Sequence, residues 1–302
     1  MPRFRNRRSR YSTKRRAPPR RKYGGVKRTK RTYRRPMTKK KILNISSRKK
    51  RDTMLGYVNT ASNGASAQLG TGLPLTVTGA TGSLTLWNAT ARDLFTGSNY
   101  NTIADQAART ATTCYMRGLS EHLRVQTSSG LAWFWRRICF TTRGQYFRTS
   151  TSPTQPEVYY TDGSNGIGRT WLNLNINNSA GSLGTIQSLL FKGTQGKDWD
   201  DYLTAPVDNT RVTLKYDKTT TFKSGNGNGI VSEKKLWHKM NHNLVYDDDE
   251  NGDSELTSYV STSSKAGMGD YYVLDLILPG TGGSATDLLQ LRSTSTLYWH
   301  ER

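Results

Sequence analysis

Residues 114–140 read CYMRGLSEHLRVQTSSGLAWFWRRICF, and this stretch decides the fold. In its first half Leu119, Leu123 and Val125 oppose Ser120, His122, Arg124 and Gln126. That is the period-2 pattern of a half-buried strand. Glu121 breaks the pattern by setting a carboxylate among the apolar positions. The second half, LAWFWRRICF, is nearly all apolar apart from Arg136 and Arg137, which predicts a strand covered on both sides. Phe134, Ile138 and Phe140 are expected to face the sandwich core, with Trp133 and Trp135 on the opposite face beneath a loop or a neighbouring subunit. TSSG between the two halves suits a hairpin loop.

Working outward, similar strand-type runs recur at Met54–Thr60, Ser188–Lys192, Arg211–Phe222, Ser232–Tyr246, Asp270–Leu278 and Gln290–His300. With Cys114–Thr127 and Leu131–Thr142 they make about eight strands. In YYVLDLILPG, Tyr272, Leu274, Leu276 and Leu278 share one face and Asp275 falls on the other. Helix signals are weak. NATARDLFTG offers a short helix capped by Asn88 or Thr90 and stopped by Gly97, and KDWDDYL another turn or two. The polar stretches 61–82 and 145–184 read as long loops. The predicted class is all-β: a single eight-stranded jelly-roll sandwich, which avoids long exposed sheet edges. Periodicity alone does not separate it from an immunoglobulin-like sandwich.

Charge divides the chain. The sequence holds 45 Lys+Arg and 22 Asp+Glu for a net charge of +23. Met1–Arg51 holds 24 of those bases and no acid, so Asp52–Arg302 carries 45 − 24 = 21 bases against 22 acids, a net −1. Two domains are therefore predicted: a basic arm, 1–51, too charged and too poor in apolar surface to fold alone, and a folded body, 52–302. The arm's cations are Arg3, Arg5, Arg7, Arg8, Arg10, Lys14, Arg15, Arg16, Arg20, Arg21, Lys22, Lys27, Arg28, Lys30, Arg31, Arg34, Arg35, Lys39, Lys40, Lys41, Arg48, Lys49, Lys50 and Arg51. Tyr11, Tyr23 and Tyr33 lie among them. Cations neutralise phosphates and release counterions, and aromatic rings stack on unpaired bases, so all these residues are candidate nucleic-acid contacts. The clusters Lys14, Arg15, Arg16 and Arg20, Arg21, Lys22 also fit a nuclear import signal read by an import receptor.

Other chemistry is sparse. Asp247, Asp249, Asn251 and Gly252 match the opening of a calcium loop, but its twelfth position is Ser258 where a bidentate Glu belongs. An acidic hairpin tip turning at Asn251–Gly252 is the better reading. His238 and His242 on a strand would lie about 13 Å apart, too far to share a zinc ion. GSNGIG and GNGNG lack the Lys–Ser/Thr pair and the strand-to-helix step of a phosphate loop. Cys114 and Cys139 read as buried, reduced thiols. No nucleophile signature is present, no cofactor or metal is implied, and no segment reads as membrane-spanning. The chain reads as a protein that is not an enzyme.

With the arm and the eight strands together, the chain resembles the capsid proteins of small circular single-stranded DNA viruses, in particular the genomovirus family, distantly similar to geminivirus coats. Three stretches carry the resemblance: RFRNRRSRYSTKRRAPPRRKYGG, CYMRGLSEHLRVQTSSGLAWFWRRICFTTRG, and TRVTLKYDKTTTFKSGNGNGIVSEKKLWHKMNHNLVYDDDENG, with TLYWHER fitting a final strand. Residues 61–113 and 145–184 lie outside it. The resemblance implies one jelly roll and self-assembly into a small icosahedral (T=1) shell of about sixty copies, the smallest closed icosahedral count. It further implies an inward-facing arm that packages circular single-stranded DNA, and a life divided between virion and host nucleus. The rival is a monomeric nucleic-acid-binding protein of ribosomal or chromatin type. Such a binder is expected to continue its basic surface onto the fold, whereas the body here sums to −1.

Overall fold

The computed structural model describes residues 37–143, 147, 159–176 and 180–302, with backbone alone at residues 40 and 180–182. In chain order its elements are α1 (Lys39–Ser46), β1 (Arg48–Met54), β2 (Gly56–Thr60), β3 (Ser66–Thr71), β4 (Leu75–Thr78), β5 (Ser83–Asn88), β6 (Phe95–Thr96), β7 (Asn99–Tyr100), β8 (Thr113–Thr127), β9 (Trp133–Thr142), β10 (Thr161–Gly163), β11 (Gly166–Trp171), α2 (Ala180–Leu190), β12 (Thr213–Phe222), β13 (Val231–Val245), β14 (Asp249–Asn251), β15 (Ser254–Leu256), β16 (Asp270–Pro279) and β17 (Leu288–Glu301).

The protein is an all-β sandwich. One sheet runs β1-β17-β8-β13 and the other β12-β9-β16-β5, with antiparallel neighbours in both. From β8 onward the chain crosses the gap between sheets at each step except β9 to β12. That interleaved order is the jelly roll. The eight strands of the two sheets are joined by nine smaller ones, because the stretch read as loop at 61–82 carries β3 and β4 and that at 145–184 carries β10 and β11. β4 extends the first sheet on β17, and β10-β11-β2-β3 form a separate small sheet.

Several expectations are corrected. TSSG is not a hairpin loop: β8 pairs with β13 and β17, β9 with β12 and β16, and the chain changes sheet between them. The faces of β9 are the reverse of those expected. Trp133 and Trp135 are buried in the gap with Leu123, Val125, Leu289 and Leu291 of the first sheet. Ile138 and Phe140 face outward onto a third layer containing Ile186, Leu190, Phe191, Ala205 and Val212. The strand is thus covered on both sides, and the larger aromatics fill the gap. Tyr272, Leu274 and Leu276 of β16 share that outward face, as their alternation predicts. Ser188–Lys192 is not a strand; it overlaps the end of α2, since a short apolar run has no period to tell helix from strand. The NATARDLFTG helix is absent. Asn88 Oδ1 accepts from the amide and hydroxyl of Thr90 at 3.0 and 2.9 Å, a local turn that imitates a cap.

The residues that broke the apolar patterns meet inside the gap. Arg137 of β9 bonds Asp275 of β16 through Nε at 2.7 Å and Nη2 at 2.9 Å, and pairs with Glu121 of β8. Arg169 of β11 reaches Asp275 at 2.8 Å and Glu121 at 3.3 Å. Its guanidinium lies between Trp87 and Trp171, at 4.3 and 3.6 Å from their ring centres. Burial alone would raise the Glu121 carboxyl; Arg137, His238 at 3.6 Å and Arg169 overcome this and hold it below its ordinary value. Two carboxylates and two guanidiniums balance, so the gap holds charge without net charge. Cys114 and Cys139 are free and buried, and burial pushes the Cys139 thiol up to about 12.

Candidate nucleic-acid interface

Arg3 through Arg35, with Tyr11, Tyr23 and Tyr33, lie outside the described residues. The rest of the proposed arm is partly folded. Thr38 caps α1 by accepting the Lys41 amide at its carbonyl, 2.9 Å, and hydroxyl, 3.4 Å. Lys39 and Lys41 are exposed there. The chain divides between Ile42 and Leu43 rather than after Arg51. The reason is β1, which seats Arg48–Arg51 against the last strand in the register Arg48↔Glu301 to Arg51↔Tyr298. Alternation then splits the four cations. Lys49 and Arg51 point outward with Arg48 exposed at the strand's start, whereas Lys50 is buried. The Lys50 ammonium sits 3.0 Å from Glu301 Oε2 and donates to Ala108 O at 2.7 Å and Thr110 Oγ1 at 3.0 Å. Lys50 is therefore a structural cation, not a nucleic-acid contact as the sequence suggested. Burial opposes the Glu301 charge, but bonds from Thr110, Trp299 and Lys50 hold its carboxyl below the ordinary range.

Lys49 and Arg51 open onto the outer face of the β1-β17-β8-β13 sheet, whose strand registers set side chains in rungs. One rung is Arg51–Tyr298–Gly118–Lys239. Beside it on one side runs Thr53–Thr296–Ser120–Trp237, then Thr294–His122–Lys235, then Arg292–Arg124–Glu233. On the other side lies Lys49–His300–Tyr115–Asn243. Rungs on one face repeat every two residues, about 6.6 Å. Arg51, Arg124, Lys235, Lys239 and Arg292 are all exposed. The acid on these rungs is Glu233, and His122 contacts it at 3.3 Å. The rings of Tyr115 and His300 lie 6.1 Å apart and those of Trp237 and Tyr298 5.8 Å apart, tilted by 42° and 57°. Burial, then Arg117 and Lys49, lower the His300 imidazole, so at neutral pH it presents a neutral ring.

The body's net charge of −1 therefore conceals a basic, aromatic sheet face. Sequence reading missed Arg117, Arg124, Lys235, Trp237, Lys239, Arg292 and Tyr298. The alternation Glu233, Lys235, Trp237, Lys239 in β13 is the signal that could have found them. Acids gather elsewhere. Asp198, Asp200 and Asp201 are exposed on the loop whose Trp199 and Tyr202 pack onto the outer layer of the other sheet. Asp249, Glu250, Asp253 and Glu255 ride on the β14–β15 hairpin. That hairpin turns through Gly252, φ 68°, and Asp253, one residue later than expected. Asp248 is not a free ligand but bonds Arg109 Nη2 at 2.9 Å. Among the described residues no group of three or more His, Cys, Asp or Glu is placed to hold a metal ion. GSNGIG folds as the β10–β11 hairpin, where a Cβ at Gly168 would come within 2.1 Å of the Tyr57 ring. No protein-family model matches the chain, and no curated protein matches it.

Proposed function

We propose that this protein is a structural subunit of a closed shell, a capsid protein of the small circular single-stranded DNA virus type, and not an enzyme. The observation that carries this reading is the jelly roll itself, with one sheet face that is basic and aromatic. A wall that holds nucleic acid on one side needs a face of that charge. The basic arm leads into β1, an edge strand of the basic sheet. In this reading the arm's cations neutralise packaged single-stranded DNA, and its clusters at Lys14–Arg16 and Arg20–Lys22 carry the subunit into the host nucleus through an import receptor. No cofactor or membrane takes part.

The basic sheet face also favours the rival, a monomeric binder. Particle size separates the two. Nuclease-treated, purified protein run on size exclusion should elute near 2 MDa, about 60 copies of 33.9 kDa. A 33.9 kDa species at every salt and protein concentration would reject the shell.

A further inference from the structure

We infer that the outer face of the β1-β17-β8-β13 sheet is itself a site for unpaired nucleobases, stacked on Trp237 and Tyr298, with the adjoining phosphates held by Arg51 and Lys239. The inference rests on the reading of this chain as a nucleic-acid binder, and it adds a site on the fold that the arm does not supply.

Trp237 is 52% exposed, a large apolar ring left to solvent on a strand whose other face is core. Its placement is built. On β8 the position beneath the ring is Gly118, where a Cβ would stand 2.7 Å from Trp237 Cζ2 and 3.0 Å from Cη2. Any larger residue would lift the indole, so the glycine lets it lie down across the neighbouring strand with its other face open. Tyr298 stands beside it at 5.8 Å and 57°, giving two ring surfaces at different tilts.

Cations bracket Tyr298 and Gly118 along a single rung. Arg51 is next to Tyr298 on the β1 side, and Lys239 lies beyond Gly118 on the β13 side. The neighbouring rung holds Thr53, Thr296 and Ser120, short polar side chains that leave room beside the indole. Neither rung contains an acid. This is the combination by which proteins hold single strands: rings for base faces and cations for the backbone. A duplex hides its base faces by stacking and would meet only the cations. An acidic protein would likewise use Arg51 and Lys239 and leave the rings idle.

The test is photocrosslinking of the full-length protein to an oligodeoxythymidine carrying 5-bromodeoxyuridine, with the same oligonucleotide annealed to its complement as comparison. Mass spectrometry locates the crosslinked residues. Crosslinks at Trp237 or Tyr298 are expected with the single strand, and at least fivefold fewer with the duplex. Trp237→Phe should keep them and Trp237→Ala should lose those on β13. Arg51→Gln with Lys239→Gln should reduce the slope of log affinity against log salt by about 1.4, two phosphates at about 0.7 each. Crosslinks confined to residues before Arg48, or equal yields from duplex and single strand, would overturn the inference. Displacement by polyglutamate without any effect of Trp237→Ala would overturn it in favour of an acidic protein partner. Size exclusion of Trp237→Ala keeps the shell separate: a 2 MDa peak leaves the capsid reading standing whichever way crosslinking falls, and its loss in every variant rejects the capsid reading alone.

Discussion

Replacing Asp275 by Asn tests whether the charge cluster between the sheets holds them in place. The carboxylate is fully buried and accepts from four donors: Trp135 Nε1 at 2.7 Å, Arg137 Nε at 2.7 Å and Nη2 at 2.9 Å, and Arg169 Nη2 at 2.8 Å. Asn preserves the shape, but its amide nitrogen faces donors it cannot accept from. Two guanidiniums are then left against Glu121 alone. Removing one partner of a buried, hydrogen-bonded ion pair costs about 3–5 kcal/mol, because an uncompensated charge stays buried. For a body of this size each kcal/mol moves Tm by about 2–4 °C, so a fall of about 6–20 °C is expected in thermal unfolding followed by circular dichroism at high salt. A second variant separates charge balance from lost hydrogen bonds. Asp275→Asn with Arg169→Met leaves one guanidinium against one carboxylate, and should be more stable than the sum of the two single changes predicts. A Tm within about 2 °C of the parent for Asp275→Asn, or strict additivity in the double variant, would refute the argument that balance inside the gap is what matters.

Removing Met1–Ile42 should leave the body folded with its Tm unchanged, whereas removing Met1–Arg51 takes most of β1 with it and strands Glu301 without Lys50, so insoluble protein is expected; solubility and circular dichroism of the two truncations decide. Trp133→Ala should cost about 3–5 kcal/mol in urea unfolding because the ring fills the gap between the sheets, and Phe134→Ala clearly less, because Phe134 is half-buried; equal costs would contradict the face assignment. Glu121 and Glu301 are held below their ordinary 4.5, so the unfolded chain binds their protons first and stability present above about pH 4.5 should fall as pH drops. Glu301→Gln should lower stability at pH 7 and flatten that acid limb, and a limb unchanged in the variant would show that Glu301 does not contribute to it.

The fold was legible where strands have one wet face or a clear end. The alternation in β8 and β16 identified their faces, and the charged tail stood out from composition alone. β5, SLTLWN, was missed because all six of its residues are buried and it has no alternation to read. Its final Asn88 also makes the turn that imitates a helix cap. The face of β9 could not be assigned from sequence, because both faces are apolar and only their partners tell them apart: tryptophans against β8 and β17 on one side, Ile138 and Phe140 against α2 and the chain after it on the other. Glu121, Arg137 and Asp275 each appeared as a local exception. That they form one cluster depends on strands far apart in sequence, which no local pattern encodes. The interface was half legible: the cations of β1 were counted, but Lys50 had to be separated from its neighbours by the strand's own period.

Net charge misled for a physical reason. Arg92, Arg109, Arg136, Arg137 and Arg169 are buried and face carboxylates, namely Asp52, Asp248, Asp217, Asp275 and Glu121. These groups cancel within the sum of −1, which leaves it silent on where the other charges lie. What a ligand meets is the local distribution of exposed groups: Arg51, Arg124, Lys235, Lys239 and Arg292 share one sheet face, whereas on the side of β12 exposed Lys192, Lys197, Arg211, Lys215, Lys218 and Lys223 are mixed with Asp198, Asp200, Asp201 and Asp217. Field from a basic face reaches about a Debye length, some 8 Å at physiological salt, slightly more than the spacing of one rung. Exposed cations on neighbouring rungs therefore act together on a charge that approaches this face.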